Sequence, residues 1–291
     1  MFQIISDGAC DFSKDEVKEH NIDIVPFYIS FDGINYLKEG IDISREDFFN
    51  RLISDKNTFP KTAQPNPQDY VDIYTPHLEA GEDILCITIS SKVSGSFSSA
   101  KMAVDILAEN YPERTIVLLD TLNGSIAQRL ILKEIIKMRD IGYSLNDTAY
   151  VAEKIIKTAR IYFTVETLEY LKRGGRVGPT TALVGNILGI RPILQVEDGM
   201  ISQLDSVRGK SKTLKLIEEA MVEALKDEKD NINLAIGHIF REDDAASLKA
   251  NIEAGLSIDI TNPLIEMGIS MGAHAGPGTL VFAYCKKYDA V

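Results

Sequence analysis

The sequence predicts a two-domain α/β protein. A parallel sheet with helices on both faces is expected over residues 1–158, and a second α/β domain over 159–291. Three observations carry this reading. Residues 1–158 alternate β-branched runs with amphipathic segments, the pattern of strand–helix–strand units. At 291 residues the chain exceeds what one core usually serves. The stretch Ile84–Ala108 reads as ILCITIS, then SKVSG, then a segment with Phe97, Ala100, Val104 and Leu107 at helical spacing. That is a buried strand, a small-residue turn and a helix.

The elements follow in chain order. Gln3–Ile5, ending in Ser6 and Asp7, reads as the first strand, and Ser13–His20 as a helix. Ile22–Phe31 is strand-like with Pro26 marking an edge or bulge, and FDGINY predicts a hairpin with an Asp-Gly turn. Ser44 caps a helix with Phe48, Phe49, Leu52 and Ile53 inward. In KTAQPNP, residues 61–67, two prolines fix an extended connection that places Thr62 on a polar loop. Pro67 opens a helix to about Ala80 that Pro76 should kink or shorten. Thr115–Leu119 is a strand; Asn123–Ile141 is an apolar helix closed by Gly142; Asn146 caps another through Thr158.

The second half opens with a strand at Arg160–Val165 and a short helix at Thr167–Leu171. LKRGGRVGP follows, in which Gly174–Gly175 end the helix and permit close approach. Thr180–Gly189 reads as a short apolar helix, and Pro192–Val196 with Met200–Leu204 as a hairpin about Asp198–Gly199. Lys210–Leu225 is an amphipathic helix, followed by strand (Asn233–Gly237), helix (Glu242–Ala254) and strand (Ser257–Ile260). The loop MGAHAGPGTL and a last strand, Leu280–Cys285, complete the chain.

Composition narrows the function. With 45% hydrophobic and 25% charged residues the chain is a soluble globular type, and no run reaches the ~18 apolar residues of a membrane span. A net charge of −12 argues against nucleic acid as partner. MFQIISDGAC lacks the features of a signal peptide, and Cys10, Cys86 and Cys285 lie far apart, so reduced thiols in the cytoplasm are expected. One segment runs against the acidic balance: from Lys172 to Lys215 eight basic residues face three acids. Lys210, Lys212 and Lys215 fall in the first turn of a helix, where cations oppose the dipole at a cost of about 0.3–1 kcal/mol each. That placement points to a negatively charged partner.

Among chemistries, a serine hydrolase meets Ser94 and His274 but no Gly-x-Ser-x-Gly elbow. His20, His77, His238 and His274 show no metal-ligand spacing, and no P-loop is present. No metal site is expected. The loop Ser90, Ser91, Ser94, Gly95, Ser96 sits where a strand feeds a helix N-terminus, as an anion site or as an ordinary cap does. Thr62, Ser94, the Gly95 amide, His274 in a glycine-rich loop, Arg173 and Arg176 together suit a carboxylate or phosphate and include no evident base to break a bond.

TAQPNP, ISSKVSGSFSSA, LEYLKRGGRVG, ILGIRPIL and GAHAGPG, in this order, resemble the DegV family of bacterial fatty-acid-binding proteins over nearly the whole chain. The resemblance implies a two-domain DegV-like fold, its C-terminal domain built on a mixed sheet, with a long-chain fatty acid held between the domains and no cofactor besides. It implies a non-catalytic carrier: FakB-type members present the bound carboxylate to a separate ATP-dependent fatty acid kinase, whose acyl phosphate product feeds phospholipid synthesis. Transient membrane contact is compatible with that role. Carried over, Thr62, Ser94 and Gly95 would hold the carboxylate with Arg173 and His274 beside it. Arg176, Arg208, Lys210 and Lys212 would face the kinase. Two departures stand out: Ala63 occupies a position commonly Ser in the family, and Pro76 is unusual in its helix. Phe163, Leu183, Ile187 and Leu188 are candidate tail contacts, with an ordinary core role the stronger reading for each. A serine-dependent lipid hydrolase and a binder of another anionic lipid without a kinase are the alternatives.

Overall fold

The computed structural model describes residues 2–55, 58–176 and 190–291. Four parallel strands form the first sheet, in the order β2-β1-β6-β7: β1 (Phe2–Asp7), β2 (Asp23–Val25), β6 (Asp83–Thr88) and β7 (Ile116–Asp120). All six residues of β1 are buried, as expected of a parallel strand covered on both faces. Alternate side chains go to opposite faces. Ile84 and Cys86 meet Tyr70, Tyr74 and Leu78 of α3 (Pro67–Glu79) and Ala100, Ala103 and Leu107 of α4 (Ser96–Ala108). Leu85 and Ile87 meet α5 (Ser125–Asp140) and α6 (Leu145–Thr158) on the other side. Helices α1 (Lys14–Glu19) and α2 (Arg45–Ser54) complete this half, each opened by a serine cap, Ser13 and Ser44.

A small antiparallel sheet projects from the same half: β3 (Tyr28–Ser30), β4 (Leu37–Lys38) and β5 (Lys61–Ala63), in the order β4-β3-β5. The expected hairpin exists, but its connection is wide. Asp32 accepts from the amides of Ile34 and Asn35, so the aspartate organises a long loop instead of a two-residue turn. Thr62 lies in β5, opposite Ile29, and not in a loop. Pro76 leaves α3 intact as far as Glu79; lying in the last turn, it removes one amide donor without ending the helix. Ser144, not Asn146, caps α6 by accepting from the Asp147 amide.

The second sheet has six strands in the order β10-β9-β8-β13-β11-β12. These are β8 (Arg160–Thr164), β9 (Ile190–Glu197), β10 (Met200–Arg208), β11 (Ile232–His238), β12 (Ile265–Glu266) and β13 (Leu280–Lys286). Only β11 and β12 pair in parallel, so the sheet is mixed. Helices α8 (Lys210–Leu225) and α9 (Glu242–Leu256) cover one face through Ile217, Met221, Leu248 and Ile252. The other face receives α5, twelve of whose sixteen residues are buried. A single apolar cluster thus runs from Leu85 and Ile87 through Leu130 and Ile131 to Val281 and Ala283.

Two short helices complete the fold, α7 (Glu169–Gly174) and α10 (Ile269–Ala275). The strand expected at Ser257–Ile260 is absent. Helix α9 runs on to Leu256, and Ser257 in the left-handed region (φ 55°) closes it, leaving Ile260 as a core plug. His274 sits in α10 and not in a loop. Gly272 is there for packing, because a Cβ on it would lie 2.6 Å from the Phe49 ring. The helix expected at Thr180–Gly189 lies outside the described residues.

Candidate functional site

Thr62 on β5 and His274 on α10 come from opposite ends of the chain and share a hydrogen bond of 2.7 Å between Oγ1 and Nε2. The other ring nitrogen, Nδ1, is buried without a partner. Gly174 packs against it so closely that a Cβ there would stand 2.2 Å away. Burial of the ring, with the charge of Arg176 nearby, lowers the His274 pKa to about 4. The imidazole is therefore neutral at pH 7, with one nitrogen for donating and one for accepting.

The Ser94 loop closes the other side. Ser94 donates its amide to the Ser90 carbonyl, and its Oγ accepts from the Ser96 amide. Gly95 precedes α4 with no side-chain cap and lies against Gln64, where a Cβ would come within 2.3 Å of the amide nitrogen. So the Gln64 side chain, just past β5, packs against Gly95. Beneath the loop, buried Asp7 accepts from Ser96 Oγ (2.7 Å), the Ile89 amide (2.9 Å) and Gln128 Nε2 (2.9 Å). Burial raises its pKa in spite of these donors. Asp7 was missed as a site residue, although its position at the carboxyl end of a central parallel strand is the place to look.

An apolar cavity with a free volume of about 80 Å³ lies inward of His274 between the two halves. Ile89 and Val93 line it from the first half; Phe163, Leu171, Met271 and Val281 line it from the second. Leu122 and Ser125, in the segment beside it, hold left-handed backbones at φ 49° and 53°, the kind of strain that collects at binding sites. Phe163, a candidate tail contact, is among the residues that line the cavity; Leu183, Ile187 and Leu188 lie outside the described residues.

The two arginines exchange the positions expected of them. Arg176 turns inward: its Nε donates to the Val93 carbonyl (3.2 Å) and Nη1 to the Gly174 carbonyl (2.5 Å), fastening α7 to the Ser94 loop. Gly175, left-handed at φ 69°, reverses the chain and makes this return geometrically available. Arg173 turns outward, 59% exposed, beside Glu169 and stacked over Phe59 at 3.8 Å. It stands one helical turn after Glu169, on the solvent face of α7. Arg208 at the end of β10 and Lys212 in the first turn of α8 are exposed, while Lys210 pairs with Asp244 at 2.8 Å. That helix has no side-chain cap.

Ser94 and His274 do not pair, since His274 Nε2 is taken by Thr62. Cys10, Cys86 and Cys285 are buried, and burial pushes the first two up to about 12 and the third higher still. Among the described residues no group of three His, Cys, Asp or Glu could hold a metal ion, and no helix is long and apolar enough to cross a membrane.

Comparison with known proteins agrees with this architecture. A DegV domain-containing protein of Clostridium acetobutylicum is 32% identical over 286 residues, spanning 97% of this chain and 96% of that one. A stearic acid-binding protein from Eubacterium ventriosum has a TM-score of 0.94 at 30% identity, with 100% of each chain covered. The fatty-acid-binding DegV of Bacillus subtilis gives 0.85 at 25%, covering 98% of this chain and 99% of that one. The model of the family described as "Uncharacterised protein, DegV family" matches residues 1–287, and the chain belongs to that family.

Proposed function

We propose that this protein binds one long-chain fatty acid, with the carboxylate at Thr62, His274, Ser94 and the Gly95 amide and the tail in the cavity between the halves. The observation that carries the proposal is the Thr62–His274 pair at the head of an apolar cavity. Relatives of the same fold bind stearate and other fatty acids. Burying ~14–16 methylenes at ~0.8 kcal/mol each gives roughly 11–13 kcal/mol before ordering costs. The tail supplies affinity and the polar end fixes direction. A neutral imidazole and hydroxyls receive the carboxylate, with Arg176 supplying a positive charge near His274.

The protein acts as a cytoplasmic carrier and not as an enzyme: it presents the carboxylate to a separate ATP-dependent kinase, and the acyl phosphate enters phospholipid synthesis. Two features support this. The residues offer hydrogen-bond donors but no Ser–His pair to open a bond, and Arg173, Arg208 and Lys212 stand exposed, where an acidic partner could meet them. Native mass spectrometry of the purified protein, followed by lipid extraction, tests the binding. One fatty acid per chain is the expected result. An empty protein that also refuses added oleate and palmitate removes the proposal. Thr62→Ala and Ser94→Ala should each weaken fatty-acid binding by about 1–3 kcal/mol in titration calorimetry. Serine-dependent turnover of a p-nitrophenyl ester, lost in Ser94→Ala, would favour a hydrolase instead.

A further inference from the structure

Helix α10 carries His274, yet what holds its N-terminus comes from the other half of the molecule. The Gly268 amide donates to Asp11 Oδ1 at 2.8 Å, and the Ile269 and Ser270 amides donate to Glu39 Oε1 at 2.9 and 3.2 Å. Three of the helix's orphan donors are thereby met by two buried carboxyl groups more than 200 residues away in sequence. Asp11, in the left-handed region at φ 56°, is itself fixed by Ser125 Oγ at 2.5 Å. Gly268 admits both groups: a Cβ there would lie 2.7 Å from Asp11 Oδ1 and 3.2 Å from Glu39 Oε1. The second oxygen of Glu39 is buried without a hydrogen-bond partner, so the bonds of this carboxyl go to α10.

A seven-residue helix has almost no stability of its own. Its place is set by what grips its ends, and the two ends of α10 are Glu39 with Asp11 at one side and Thr62 with Gly174 at the other. We propose that Glu39, with Asp11, is a positioning residue for the binding site: it fixes the advance and rotation of α10 and so holds His274 Nε2 against Thr62. This rests on reading Thr62 and His274 as the place of a fatty-acid carboxylate. Reach matters more than charge in this arrangement, since the bonded oxygen must arrive at two adjacent amides.

Three variants separate reach from charge, each measured with stearate and with 1-octadecanol, which has the same tail and no carboxylate. Glu39→Ala removes the acceptor, Glu39→Asp keeps the charge but falls one methylene short, and Glu39→Gln keeps the reach and loses the charge. E39A and E39D should bind stearate at least tenfold more weakly and octadecanol within about twofold of the wild type. E39Q should stay within about threefold for both. Equal losses for the two ligands, no loss in E39A and E39D, or E39Q as poor as E39A would each overturn the proposal. The imidazole ¹⁵N signals of His274, recorded without ligand, give a second reading. They should move in E39A and E39D and return in E39Q, and an unmoved signal in all three overturns the proposal even where stearate does not bind. A wild type that binds neither ligand instead removes the fatty-acid reading and leaves the positioning to be judged by those signals.

Discussion

Gly174 and Gly175 are adjacent and do different work. Gly175 needs its left-handed backbone, with open space where a Cβ would go, whereas a Cβ on Gly174 would meet the His274 ring. Gly175→Ala should therefore cost about 1 kcal/mol of stability in urea unfolding and lower ligand affinity by no more than about threefold. Gly174→Ala should weaken ligand binding at least tenfold by displacing the ring. Similar losses of affinity in both variants would contradict this division. The pair was visible in the sequence as a place of close approach, and so were Thr62, Ser94 and His274 as candidates. The roles of Arg173 and Arg176 were not, because Gly175 alone decides which of the two turns back. Nor was Asp7, whose use depends on three donors from distant elements.

At the scale of elements, the long helices and the two main sheets were legible because each repeats its apolar period several times. The short ones were not. Helix α10 has seven residues, with glycines at its start and within it, and it exists because Phe49 needs contact at Gly272 and because distant carboxyl groups cap it. Helix α5 shows the opposite limit: its pattern announced a buried helix, but not that two sheets would claim it. Leu130→Ala should destabilise by about 2–5 kcal/mol, as a buried cavity does. Fluorescence and circular dichroism should still trace one shared unfolding transition. Two separate transitions would show that the halves hold independent cores.

For the whole molecule, two groups at the ends of α10 give opposed pH dependences. Glu39 is raised from 4.5 to about 7 by burial, with the Asp11 charge adding to it and the Ser270 and Ile269 donors opposing. Its contribution to stability is complete below pH 4.5 and is lost as pH rises through 7, by about 3 kcal/mol in all. His274 is lowered from 6.5 to about 4 by burial and then by Arg176, so its contribution is complete above pH 6.5 and is lost as pH falls through 4. Between pH 4.5 and 6.5 the two offset each other. Glu39→Gln removes the first, so the melting temperature of E39Q minus that of the wild type should grow steadily from pH 4.5 to 7. A difference that stays flat would mean that Glu39 does not titrate there.

The helix shared by both sheets also bears on kinetics. Opening this molecule like a clamshell would tear one apolar core in two, which makes hinging of the halves costly. On the function proposed above, an acyl chain that enters with this shared core closed should slide in lengthwise, and a bent chain should meet resistance along the route. Straight and kinked chains of equal affinity should accordingly differ in how fast they load, and release should be slow, as stopped-flow loading of stearate and oleate would show.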